Sequence, residues 1–257
     1  MKTVIASALL LASSGAYAHN SCDAELQGGL KIAENSIEFY QDEVLVYQIN
    51  DQSTLWVDGK KVNLTSAQQA LVEDYSTRIH AMVPAVKNIV MDGIDLATDG
   101  INLAFTELMG EGSQITAALN TELETIRTEI NAKFASQEGI YINHDGEDFL
   151  GDDFEQRIEQ AVEKTMTQSI GSLLVMVGKE MMLSGGDADA FERRMEEFSQ
   201  TIEAEVEKRA AAIEGRADNI CRAVAKIDEV EDAMRQQIEA LRDYDMITVR
   251  LESDKKA

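Results

Sequence analysis

Residues 188–241 read ADAFERRMEEFSQTIEAEVEKRAAAIEGRADNICRAVAKIDEVEDAMRQQIEAL. Apolar side chains fall at Phe191, Met195, Phe198, Ile202, Val206, Ala210, Ile213, Ala217, Ile220, Val224, Ile227, Val230, Met234, Ile238 and Leu241. Every step is three or four residues, which lays one stripe along one side of an α-helix. Between them stand Glu, Arg, Lys, Gln and Ala, so the opposite side is solvated and strongly helix-forming. Unbroken, about 54 residues at 1.5 Å each make a rod of ~80 Å. A rod with one greasy edge cannot bury that edge alone, so further helices, or a second copy of the chain, must lie along it. Gly215 is the point where it would bend or break.

Outward from this rod, the same helical spacing recurs upstream. Thr65 or Ser66, with Gln68 and Gln69 three residues on, has the form of a capping box that opens a helix. Leu71, Tyr75, Ile79, Met82, Val83, Val86, Ile89 and Val90 continue it, and Pro84 predicts a kink or break near His80. Asp92-Gly93-Ile94 is repeated a heptad later as Asp99-Gly100-Ile101. Glycines cost roughly 1 kcal/mol each inside a helix, so a close helix approach is the expected compensation. Gly171 and Gly178, also a heptad apart, are the predicted partners of Gly93 and Gly100. A helix from about Ser113 carries Ile115, Leu119, Ile126, Ile130 and Phe134. Another, from about Asp152 to Leu183, carries Phe154, Ile158, Val162, Met166, Ile170, Leu173, Val177 and Met181.

Before residue 65 the pattern changes to period two. Ile37 and Phe39 alternate with Glu38 and Tyr40, and Val44 to Ile49 is rich in β-formers. Leu55-Trp56-Val57 faces Lys60-Lys61-Val62 across Asp58-Gly59, a tight-hairpin signal because that turn needs positive φ. Three to five antiparallel strands are expected, resting on helices for stability. Gly139 to Asn143 reads as a short strand. Met246 to Leu251 reads as a strand that returns to the N-terminal sheet. The fold class is α+β: a small N-terminal antiparallel sheet on long antiparallel amphipathic helices. The divisions are 1–18 leader, 19–64 β-rich region, 65–244 long-helix bundle, and 245–257 strand and tail.

Lys2, an apolar run from Val4 to Ala12 and Ala16-Tyr17-Ala18 have the form of a cleavable export signal, cut after Ala18. Cys22 lacks a lipobox before it. The chain holds two cysteines, Cys22 and Cys221, and in an oxidising compartment they read as one structural disulfide. Closing so long a loop is worth up to ~5 kcal/mol in the chain-entropy account. The apolar stretch Ile170–Leu183, interrupted by Lys179 and Glu180, is too short to span a bilayer, and no transmembrane segment is expected.

A formal charge of −24 argues against nucleic acid and anionic membrane surfaces as partners. His19, His80 and His144 lack metal-ligand spacing. The acidic loop at 143–153, with Asp145, Glu147, Asp148, Asp152 and Asp153, does not follow the calcium-loop order. No nucleophile elbow or phosphate loop is present. The reading is therefore a non-enzymatic protein without cofactor, catalytic residue or metal site.

Several stretches together resemble the YggN family, periplasmic proteins of proteobacteria without an assigned function. They are the exported start with Cys22 soon after it, Leu55 through Thr65, Ser66-Ala67-Gln68-Gln69-Ala70-Leu71, and Cys221 through Leu241. The resemblance implies a periplasmic location and lends no chemistry. The role expected is binding or scaffolding in the cell envelope, chaperone-like, with an envelope protein or apolar ligand as partner and homodimerisation open. The alternative is a small-ligand or metal carrier using Met-lined helices (Met176, Met181, Met182) or the acidic loop.

Overall fold

The computed structural model describes residues 22–109, 114–144 and 188–251, with the single residues 160, 163 and 178. Strands β1 (Cys22–Leu26), β2 (Gly29–Ala33), β3 (Ser36–Gln41), β4 (Val44–Asn50), β5 (Thr54–Val57) and β6 (Lys60–Lys61) come first. Helix α1 (Ser66–Met109) and helix α2 (Gln114–Phe134) follow, then β7 (Ile140–Ile142). Helix α3 (Ala188–Gln237), a 3₁₀ turn (Glu239–Leu241) and β8 (Ile247–Leu251) complete the described chain. The α+β expectation holds. The leader, Gly171 and most of the helix expected at 152–183 lie outside the described residues, as does the acidic loop beyond His144.

The strands form a consecutive meander, β6-β5-β4-β3-β2, with β7 added beside β2, all antiparallel. Asp58 and Gly59 both take positive φ, 48° and 72°, the geometry a two-residue hairpin requires. β8 returns to the N-terminal region as expected, but it pairs with β1 in a separate two-stranded ribbon. Period-two alternation turns Leu30, Ile32, Ile37, Phe39, Tyr47, Ile49, Leu55 and Val57 to one face, all buried. Helix α1 covers that face with Val72, Tyr75 and Ile79, α3 adds Ile227 and Met234, and Ile238 follows just past its end. The core thus sits where the first turns of α1 meet the last turns of α3 against the sheet.

The capping box forms from Thr65: its amide donates to Gln68 Oε1 at 2.8 Å, and the Gln68 amide donates to Thr65 Oγ1 at 3.3 Å. The Gln68 Nε2 donates in addition to the carbonyl of Gln237 at 2.6 Å. One side chain therefore closes the start of α1 and the end of α3, satisfying an orphan carbonyl. Here the rod differs from its expected end at Leu241. It stops at Gln237, and Ile238 turns to an extended conformation before the 3₁₀ turn. Gly215 does not break it.

Pro84 does not break α1 either. It removes one backbone hydrogen bond, yet helix on both sides is held by packing, which outweighs a local cost of ~3 kcal/mol. The Asp-Gly-Ile repeat also has a role in register. A Cβ placed on Gly93, Gly100 or Gly178 meets nothing within 4 Å among the described residues; Gly171 and nearly all of the segment expected to pack on Gly93 and Gly100 lie outside them. What the heptad sets is the aspartates: Asp92 pairs with Arg216 and Asp99 with Arg209, seven residues apart on each helix. On another side of α1, Asp95 takes Arg127 of α2, and Asn102 accepts from Asn120 of α2 at 2.7 Å, again a heptad apart. Helices α2 and α3 therefore run antiparallel to α1 in fixed register. Since an added Cβ meets no described atom within 4 Å, Gly93→Ala and Gly100→Ala should each raise stability by about 0.5–1 kcal/mol in urea titrations. A loss instead would restore the close-approach reading.

Candidate functional site

Glu231 is the one buried charged side chain among the described residues, 2% exposed. Four donors surround its carboxylate. Tyr47 and Tyr75 hydroxyls donate to Oε1 at 2.8 and 2.7 Å, and the Met246 and Ile247 amides donate to Oε2 at 3.0 and 2.8 Å. Helical spacing places Glu231 on the buried stripe between Ile227 and Met234, so α3 aims it at the sheet. Burial pushes its carboxyl above the usual value, while the four donors pull the other way. Both tyrosines are also shifted well upward, chiefly by burial. The acceptor positions are filled, so this centre binds the molecule to itself. It ties α3 to the sheet and to the entry of β8.

A turn away, carboxylate oxygens of Asp228, Asp232 and Asp245 lie within 4.8 Å of one another. This gap is already served. Arg235 Nη1 lies 3.0 Å from both Asp232 and Asp245, and Asp228 accepts the Val249 amide at 2.9 Å. Burial raises the Asp228 carboxyl, helped by Asp232 and Asp245 and opposed by Val249 and Arg235. The two carboxylates of α3 thus take the amides that β8 does not give to β1, which stops that ribbon from growing on its helix side.

A different surface has the form of a binding site. Between α1 and α3, beside the ion-paired aspartates, a groove of about 700 Å³ opens. Its floor is Met82, Ala85 and Ile89 of α1 with Ile220 and Ala223 of α3. Its rim carries Arg78, Arg216, Arg222 and Lys226, and among the described residues no acidic side chain lines it. Arg78 pairs with Asp74 at 2.9 Å and Arg216 with Asp92. Arg222 donates to the amide oxygen of Asn219 at 2.6 Å. The groove exists because the stripe turns to alanine here: two long helices held apart at their ends need large side chains to close, and Ala81, Ala85 and Ala223 are small.

Of the residues singled out from sequence, Cys221 is buried on α3. β1, which begins at Cys22, packs along α3. His80 is tied down, with Nδ1 2.9 Å from the Ser76 carbonyl oxygen and Nε2 3.0 Å from that of Ala33. Met176, Met181, Met182 and His19 lie outside the described residues. The groove escaped sequence reasoning, though a signal was present. The run Arg216–Lys226 holds three cations and three alanines against a single acid, Asp218, in a chain with 47 acidic residues.

Among the described residues no helix is long and apolar enough to cross a membrane. No curated protein and no solved structure matches the chain. A family model described as "Protein of unknown function (DUF2884)" matches residues 22–247, and the chain belongs to that family.

Proposed function

We propose that this is an exported, non-enzymatic binding protein of the cell envelope whose binding surface is the groove between α1 and α3. The observation that carries the reading is that groove: an apolar floor with a rim that, among the described residues, is cationic and amide, on a chain of charge −24. The YggN resemblance and the leader ending at Ala18 support a periplasmic location. There, a Cys22–Cys221 disulfide would fasten β1 to α3; the burial of Cys221 and the packing of β1 on α3 support that pairing. The non-enzymatic part is supported by Glu231, whose acceptor positions are spent on folding. A scaffolding or chaperone-like role is a broader form of the same reading, with an apolar segment in place of a small ligand.

The test uses Nile red, a neutral apolar dye. The full chain should raise its fluorescence in a saturable way, and Ala85→Trp/Ala223→Trp, which fills the groove, should abolish the rise while keeping the urea midpoint. Absence of saturable binding, or binding that survives the filled groove, would remove the reading.

A further inference from the structure

We infer that the groove takes a single-chain anionic amphiphile, an acyl carboxylate or alkyl phosphate, as a free monomer; this rests on the groove being the binding surface. Its volume of about 700 Å³ falls within the roughly 300–1,000 Å³ of small-molecule sites. Half-buried Met82, Ile89 and Ile220 offer a chain continuous apolar contact. Arg222 and Lys226, one turn apart on α3, are exposed at the rim, and neither is paired with a carboxylate among the described residues. Elsewhere along the same helix pair the arginines are matched, Arg209 to Asp99 and Arg216 to Asp92. A guanidinium with an ammonium beside it suits a carboxylate or phosphate, one as a planar fork and the other as a point charge.

Charge also selects the source. An anionic bilayer meets the repulsion of the whole chain. A monomer seated in the groove feels mainly charges within about one Debye length, ~8 Å at physiological salt.

The experiment is displacement of Nile red from the full chain by dodecyl phosphate and by dodecyltrimethylammonium, each below its micelle concentration. Flotation with phosphatidylglycerol vesicles is run alongside. Dodecyl phosphate should displace the dye at about tenfold lower concentration or better, the scale of one or two charge-assisted hydrogen bonds. Arg222→Gln/Lys226→Gln should lose that preference and keep the affinity for Nile red. Equal displacement by both surfactants, or a preference that survives the double variant, would overturn the ligand class while leaving the groove as a binding surface. Dye binding that persists in Ala85→Trp/Ala223→Trp would remove the groove itself. Vesicle flotation without displacement by the monomer would overturn the inference in favour of a membrane surface.

Discussion

Glu231→Ala should lower folding stability by about 3–5 kcal/mol, the cost of leaving buried partners without their charge. Four donors lose their acceptor together: the Tyr47 and Tyr75 hydroxyls and the amides of Met246 and Ile247. The two amides matter most, because backbone that enters β8 cannot turn elsewhere for a partner. Urea unfolding at neutral pH measures the loss, and a change under 1 kcal/mol would show that the centre is not needed. A pH series adds a sign. Burial raises the folded-state carboxyl above its ordinary value of 4.5, so the folded chain takes up this proton more readily than the unfolded chain. The contribution of Glu231 to stability is then full below the unfolded value and is lost as pH rises through the folded one. Glu231→Gln does not titrate, so its deficit against the parent should widen as pH falls from 7 towards 4.5. A deficit that shrinks over that window would mean the four donors outweigh burial.

Phe39→Ala should cost a similar amount, about 3–5 kcal/mol. Phe39 is fully buried, and its ring lies 4.5 Å from that of Tyr47 and 6.0 Å from that of Tyr75. It holds the two tyrosine donors of Glu231 in place as well as filling the centre of the sheet face. For that reason Phe39→Ala and Glu231→Ala should not add. Combined, they should cost less than the two separate losses, since the second change removes interactions the first has already loosened. Additive losses in a double-mutant cycle would separate the packing of Phe39 from the polar centre. Phe39→Leu, which keeps most of the volume, should fall well short of the alanine loss.

The main elements were legible because each rests on one strong local signal. Alternation at Ile37 and Phe39, the Asp58-Gly59 turn and the three-four stripe of α3 each determine an element without help from distant residues. The meander needed only short hairpins, so its order followed the chain. What stayed hidden depended on partners far away in sequence. Glu231 sits on the stripe like a misplaced polar residue, and its meaning appears only with Tyr47 and Tyr75, which are 184 and 156 residues distant. Gln68 was readable as one half of a capping box; its hold on Gln237 was not. In Asp92-Gly93-Ile94 and its repeat, the glycine drew the eye because its helix cost is known. The information lay in the aspartate beside it, matched by Arg216 and Arg209 on a helix more than a hundred residues later. Pro84 shows the opposite case: of the kink or break it predicts, the break is overridden by packing on both sides.

The groove follows from the same register. Antiparallel α1 and α3 are pinned by Gln68 and the core at one end and by the two Asp–Arg pairs beyond the alanines. Along this stretch the edge of α3 is met by α1 of the same chain, and farther on Val206 is 38% exposed. Whether one chain supplies both walls is therefore the most direct question to put to the account. Spin labels carried by non-natural residues at Asn88 and Lys226, with both cysteines left intact, would be read by double electron–electron resonance. A short, narrow distance that is unchanged when labelled protein is diluted with unlabelled protein is the expected result. A broad distribution, or a short distance that fades on dilution, would contradict the paired-helix account.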